Sequence, residues 1–252
     1  MTLADRLLEL AHGDERAVLF TVVEGPQPGA KLLVLLERGG ETVGDAPASL
    51  APLAREIKRN GMHEHEGLRV FAEVYGPPPR LVVVGAVDTA EALCAAAKML
   101  GWHTTCIDAR AAFATPERMP SADELVVEWP DVALARVAPD HGTAVVVLTH
   151  DLKFDVPALQ AALRTDAFYV GAIGSRKTQA KRREELVAAG VPEVELDRIH
   201  GPAGLDLGAD TPGETAVAIL SEALAVRAGR DGRPLKTAAG RIHVEEIGRA
   251  HV

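Results

Sequence analysis

Thr149-His150-Asp151 places an imidazole beside a carboxylate, with Asp155 four positions further on, directly after the apolar run Ala144 to Leu148. A histidine next to an acid can act as a general base or contribute to a metal site, and it can equally be a structural hydrogen-bonding pair. A second segment, Tyr169 to Lys177, joins an apolar run to a glycine turn and then to Ser175-Arg176-Lys177. If a helix starts there, its unpaired N–H groups, the Ser175 hydroxyl and the two cations can hold a phosphate. The alternative is that Ser175 only caps the helix and the basic run through Lys181, Arg182 and Arg183 is a solvated face. A third segment, Ile199 to Pro212, is a long loop whose glycines and prolines demand a particular backbone path before a helix at Pro212-Gly213-Glu214-Thr215. Long shaped loops are often functional. Its His200 and Asp206 either face a cleft or serve as packing and turn residues.

These segments need a frame that brings them to one place, and Arg80 to Ala90 indicates which. Leu81-Val82-Val83-Val84 suits a strand buried on both faces, Gly85 allows a tight reversal, and the alanine-rich stretch that follows suits a helix. His103 to Ile107 reads as the next strand and ends in Asp108, about twenty residues past the turn, where a dinucleotide-binding fold holds a ribose hydroxyl. Val87 and Asp88, however, stand where the backbone should meet a pyrophosphate, and both oppose a phosphate. Ala90 still permits close packing of helix on strand, so the fold signal is stronger than the binding signal.

Strands at Leu81–Val84, Thr104–Ile107, Glu124–Val127, Ala144–Leu148 and Ala167–Val170 alternate with helical stretches, the order of a doubly wound parallel sheet. Before them lie a short amphipathic helix over residues 2–12, strands Ala17–Val23 and Lys31–Leu36, a helix from Ala48 to Arg59 and a strand from Leu68 to Tyr75. Gly76-Pro77-Pro78-Pro79 cannot continue a helix or a central strand. The expected organisation is therefore a smaller α+β domain at 1–75, a linker at 76–79, a Rossmann-like α/β domain at 80–228 and a tail at 229–252.

The chain has 252 residues, 47% of them apolar, which suffices for a core of this size. A formal charge of −9 argues against nonspecific binding to nucleic acid or an anionic membrane, so any anion site must be local. Cys94 and Cys106 have no C-x-x-C spacing and read as core thiols rather than a disulfide or metal site. The first residues carry acids where a signal peptide has a basic flank, and no apolar run reaches the length of a membrane span, so a cytoplasmic location is expected.

Taken in order, Ile107-Asp108-Ala109-Arg110, Phe113 to Pro120, Thr149-His150-Asp151 with Asp155, Tyr169 to Lys177 and Ile199 to Glu214 resemble the XdhC/CoxI family, accessory factors that mature xanthine dehydrogenase and related molybdenum hydroxylases. The resemblance departs at Val87 and Asp88, where the family usually carries glycine and histidine. It departs again at Val43 to Pro47, which replaces a glycine-rich stretch with a cysteine. It implies a carrier that binds molybdenum cofactor (molybdopterin), protects it while a separate sulfurtransferase supplies a terminal sulfur, and delivers it to an apo-hydroxylase. Such a protein is a maturation factor more than a turnover enzyme, and a homodimer is compatible with it. The implied cofactor-binding residues are Gly85, Ala86, Asp108, Arg110, Thr149, His150, Asp151, Gly174, Ser175, Lys177, His200, Gly204 and Asp206, with no catalytic residue or metal ligand assigned. Two alternatives remain: an NAD(P)-binding oxidoreductase, with Asp108 on the ribose or Arg110 on a 2′-phosphate, and a noncatalytic interaction protein with a degenerate pocket.

Overall fold

The structure is a computed structural model that describes residues 2–11, 15–36, 39–57 and 60–238. Contacts divide the chain into two compact units, Met1–Pro77 with Pro234–Val252, and Pro78–Arg233.

In the first unit, β1 (Ala17–Glu24), β2 (Lys31–Leu35), β3 (Glu41–Gly44), β4 (Gly61–His65) and β5 (Leu68–Tyr75) form one antiparallel sheet in the order β3-β2-β1-β5-β4. Alternation sorts its side chains. Val18, Phe20, Leu32, Val34 and Val70 pack on one face with Leu50 and Ala54, while Leu19, Leu33 and Leu35 meet Leu10 of α1 (Leu3–Ala11) on the other. The helix expected from Ala48 to Arg59 is instead two short 3-10 turns, Ala48–Leu50 and Pro52–Arg55, because Pro52 has no N–H to extend the first. Lys58 and Arg59 lie outside the described residues, as do His12 and positions 239–252 of the expected tail. Strands β3 and β4, absent from the sequence reading, are the two edges of the sheet and carry mainly polar residues, so no apolar alternation announces them.

The second unit is built on six strands: β6 (Arg80–Val84), β7 (His103–Ile107), β8 (Glu124–Val126), β9 (Thr143–Val147), β10 (Tyr169–Ala172) and β11 (Ile199–His200). All pair in parallel, in the order β8-β7-β6-β9-β10-β11. This is the 3-2-1-4-5-6 order of a Rossmann sheet, whose direction of winding reverses between β6 and β9. The intervening helices are α2 (Asp88–Met99), α3 (Pro130–Val137), α4 (Leu152–Leu163), α5 (Arg176–Ala188), α6 (Glu193–Leu196) and α7 (Pro212–Arg227). Leu81, Val83, Ala144 and Val146 face Leu93 and Ala97 of α2 and Ile219 and Ala223 of α7. Val82, Val84, Val145 and Val147 face Leu134 of α3, Leu159 of α4 and Leu186 of α5. Burial on both sides explains the near-continuous valine runs, each large side chain contributing roughly 1.5–3 kcal/mol of transfer free energy. The fifth strand sits two residues later than the sequence suggests, and Ile199-His200 forms a short sixth strand rather than opening the loop.

Candidate functional site

Ligands of open α/β sheets bind at the carboxyl ends of the strands, and the singled-out segments emerge at that edge. At the first turn Gly85 has φ +107, and a Cβ there would lie 2.7 Å from Thr149 Cγ2 and 3.2 Å from the Thr149 nitrogen. Glycine is thus required by the approach of the β9 loop. The Ala86 N–H donates to Asp108 Oδ2 at 2.9 Å. Asp108 also accepts from the Arg110 N–H (2.9 Å), Arg110 Nε (2.9 Å) and Arg110 Nη2 (2.7 Å). A carboxylate has about four acceptor positions, so Asp108 is saturated by its own chain. Burial pushes its pKa upward, but the Arg110 side chain and the Ala86 and Arg110 amides outweigh that and hold it below the ordinary value. Arg110 itself lies 4.1 Å over the Phe113 ring and 5.5 Å from that of Phe154. Helix α2 then starts without a side-chain cap and with Asp88 and Glu91 in its first turn, where carboxylates already complement the positive end of the helix dipole.

In the β9 loop, Thr149 is buried and its hydroxyl donates to the equally buried Asp155. Asp151 caps α4 by accepting from the Lys153 N–H at 3.0 Å, and His150 is exposed.

The turn after β10 differs from the first. Gly174 has φ +121, and Ser175 caps α5 by accepting from the Thr178 N–H at 3.2 Å. No acid occupies the first turn of α5. Arg176 and Lys177 are exposed, with no ion pair among the described residues, and their backbone N–H groups head the helix without intrahelical acceptors.

The last loop hangs on this turn through the Ala203 N–H, which donates to the Ala172 carbonyl at 3.0 Å. His200 stacks on Tyr169, ring centroids 4.7 Å apart, and its Nδ1 lies 3.3 Å from Glu222 Oε1. Glu222 Oε2 accepts from Tyr169 Oη (2.5 Å) and from the Gly204 N–H (2.7 Å). Burial raises the Glu222 pKa, and hydrogen bonds from His200, Tyr169 and Gly204 lower it further than burial raises it. Gly204 has φ +111, and a Cβ there would lie 3.3 Å from the Ala218 carbonyl carbon and the Ile219 nitrogen of α7, while Asp206 is exposed.

The named residues therefore form two groups. Gly85, Ala86, Asp108, Arg110 and Thr149 interlock around the first turn, and Gly174, Ser175 and Lys177 adjoin the loop of His200 and Gly204. Glu222 holds the last loop through the Gly204 N–H, and Gln179 and Arg182 hold the turn after β10 by donating to the Ala172 and Ile173 carbonyls, at 3.0 Å and 3.1 Å; none of the three is among the site residues expected from sequence. Glu222 has one signal, a lone acid in an otherwise apolar stretch of α7. Cys94 and Cys106 are both buried and free; burial pushes the Cys94 thiol up to about 12 and that of Cys106 upward as well, so neither is a thiolate at neutral pH. Among the described residues no cluster of three or more His, Cys, Asp or Glu is arranged to hold a metal ion, and no helix is long and apolar enough to cross a membrane.

Residues 81–223 match the family model of the XdhC Rossmann domain. The chain is 28% identical over 168 residues to the uncharacterized protein YqeB of Escherichia coli K12, covering 66% of this chain and 30% of that one. It is 28% identical over 165 residues to a probable xanthine dehydrogenase subunit of Bacillus subtilis 168, covering 66% and 48%. With the molybdenum cofactor insertion chaperone PaoD of Escherichia coli K12 it shares 29% identity over 160 residues, covering 64% and 44%. The matches span less than half the length of each of these relatives. The crystal structure of a xanthine dehydrogenase from Bacillus halodurans has the same fold, with a TM-score of 0.63 at 22% identity over 92% of this chain and 65% of that one.

Proposed function

Since this chain belongs to the XdhC family through its Rossmann domain, we propose that it binds molybdenum cofactor and serves in the maturation of a xanthine dehydrogenase-type molybdenum hydroxylase. It holds the cofactor as cargo while a separate sulfurtransferase adds sulfur, then passes it to the apoenzyme. The observation that carries this reading is the turn Gly174 to Lys177, whose helix N-terminus is basic, exposed and free of acids. A phosphate monoester such as molybdopterin carries fits these donors: the N–H groups at the head of α5, the Ser175 hydroxyl and the Lys177 ammonium. The exposed His150 and Asp206 and the Asp151 carboxylate supply hydrogen-bonding partners for a polar pterin at the same edge. Both thiols are buried and protonated and so poorly placed to donate sulfur, which supports a carrier rather than a sulfur donor.

The first turn has a structural part in this account. Gly85 admits Thr149, Ala86 and Arg110 saturate Asp108, and an NAD(P) ribose would have to displace Arg110 to reach that carboxylate. Mass spectrometry of the natively purified chain tests the reading. Bound molybdopterin, at clearly reduced occupancy in Lys177→Ala with an unchanged melting temperature, is expected. A stoichiometric dinucleotide in its place, or undiminished pterin in Lys177→Ala, contradicts it.

A further inference from the structure

One buried guanidinium holds the turn after β10 directly and connects to the Thr149 and Gly201 loops through Asp155 and Gln179. Arg182 of α5 and Asp155 of α4 are each 1% exposed. Arg182 Nε donates to Asp155 Oδ2 at 3.1 Å, Nη2 donates to the same oxygen, and Asp155 Oδ1 accepts from Thr149, whose methyl packs on Gly85. Arg182 Nη1 donates to the Ile173 carbonyl (3.1 Å) and to Gln179 Oε1 (2.6 Å). Gln179 Nε2 donates to the carbonyls of Ala172 (3.0 Å) and Ile173 (3.1 Å), and a Cβ on Gly201 would lie 2.5 Å from Gln179 Oε1. Every partner of this pair thus belongs to, or touches, a loop at the carboxyl edge.

Stability is a weak reason for such a pair, because a well-packed apolar pair of similar volume is often as stable. Orientation is a better one. Two donors hold the Ile173 carbonyl inward. In a trans peptide the C=O and the following N–H point in opposite directions, so the Gly174 N–H is directed away from Arg182 and has no acceptor among the described residues.

We infer that Arg182, with Gln179, is a positioning residue: it aims the Gly174 N–H at the anion that the Gly174–Lys177 turn binds and locks that turn to the Thr149 and Gly201 loops. The inference rests on the proposed reading in taking this turn as the anion site, but it does not depend on the anion being molybdopterin.

The test is a titration of the full chain with inorganic phosphate, followed by the amide shifts of Gly174 to Lys177, alongside thermal melts. The wild type is expected to show saturable shifts largest at Gly174. Arg182→Met/Asp155→Leu, which removes the charges but keeps the volume, is expected to melt within a few degrees of the wild type and to bind phosphate roughly tenfold more weakly. Arg182→Lys, which keeps the charge without the fork, should recover part of the affinity. Gln179→Met leaves the ion pair in place, removes one of the two holds on Ile173 and should lose a smaller part of the affinity, which preserves the test if the double variant fails to fold. Wild-type affinity in the double variant or in Gln179→Met, or no response at Gly174 in the wild type, overturns the inference. Phosphate binding with Arg182 dependence but no pterin in the purified chain leaves the inference standing and removes only the cofactor reading.

Discussion

At Gly85 and at Gly174 the chain makes the same move, from a buried parallel strand through a positive-φ glycine into a helix, yet the two turns end in opposite chemistry. After Gly85 the next N–H is bound to Asp108, and Asp88 and Glu91 occupy the first helical turn. After Gly174 the helix opens on a serine cap and two cations. A Rossmann sheet supplies several helix N-termini at one edge, and whether a given one accepts an anion depends on which groups already answer its N–H donors and its dipole.

The sharpest contrast should come from the glycines themselves. Gly85→Ala forces a side chain against the Thr149 backbone at a positive φ and is expected to cost on the order of 3 kcal/mol in urea unfolding. Gly174→Ala meets only the Thr178 side chain, at 3.1 Å, and should cost about 1 kcal/mol. Equal losses would break the distinction between a packing glycine and a ligand-facing one. Next in size, Lys177→Ala should weaken molybdopterin binding by roughly tenfold in fluorescence titration while leaving the melt unchanged, since a charge-assisted hydrogen bond contributes about 1.5–3 kcal/mol. Removing the acids of the other turn, in Asp88→Asn/Glu91→Gln, should not create an NADH or phosphate site, because Ala86 stays bound to Asp108; micromolar binding by that variant would contradict this. The smallest effect concerns the last loop. Because Glu222 has a lowered pKa in the fold, its contribution is complete above the ordinary glutamate value near 4.3 and disappears as the pH falls through the lowered value. Thermal melts between pH 7 and 3 should show Glu222→Gln less stable at neutral pH, by about 1 kcal/mol, with the gap closing in acid.

The framework of this fold was readable because strands buried on both faces must be apolar and glycine turns must follow them. The sites of failure have physical causes. Strands β3 and β4 pair on one side only and carry polar residues, and the Ala48 to Arg59 stretch is divided by a proline. Asp108 stands where a ribose acceptor is expected, and nothing in the spacing signals that Arg110, two residues later, folds back to saturate it. Arg182 looks like one more cation in a solvated run because the inward stripe of α5, Gln179, Arg182 and Leu186, is mostly polar and gives no apolar periodicity. Ser175 and Lys177 were legible, since a cap and a cation at a helix start need only local sequence.

Amide hydrogen exchange of the full chain with and without molybdopterin tests the central claim most directly. The account predicts slowed exchange at Gly174 to Thr178 and at His200 to Asp206, with Val87 to Glu91 unchanged. Protection confined to Val87 to Glu91 would contradict it.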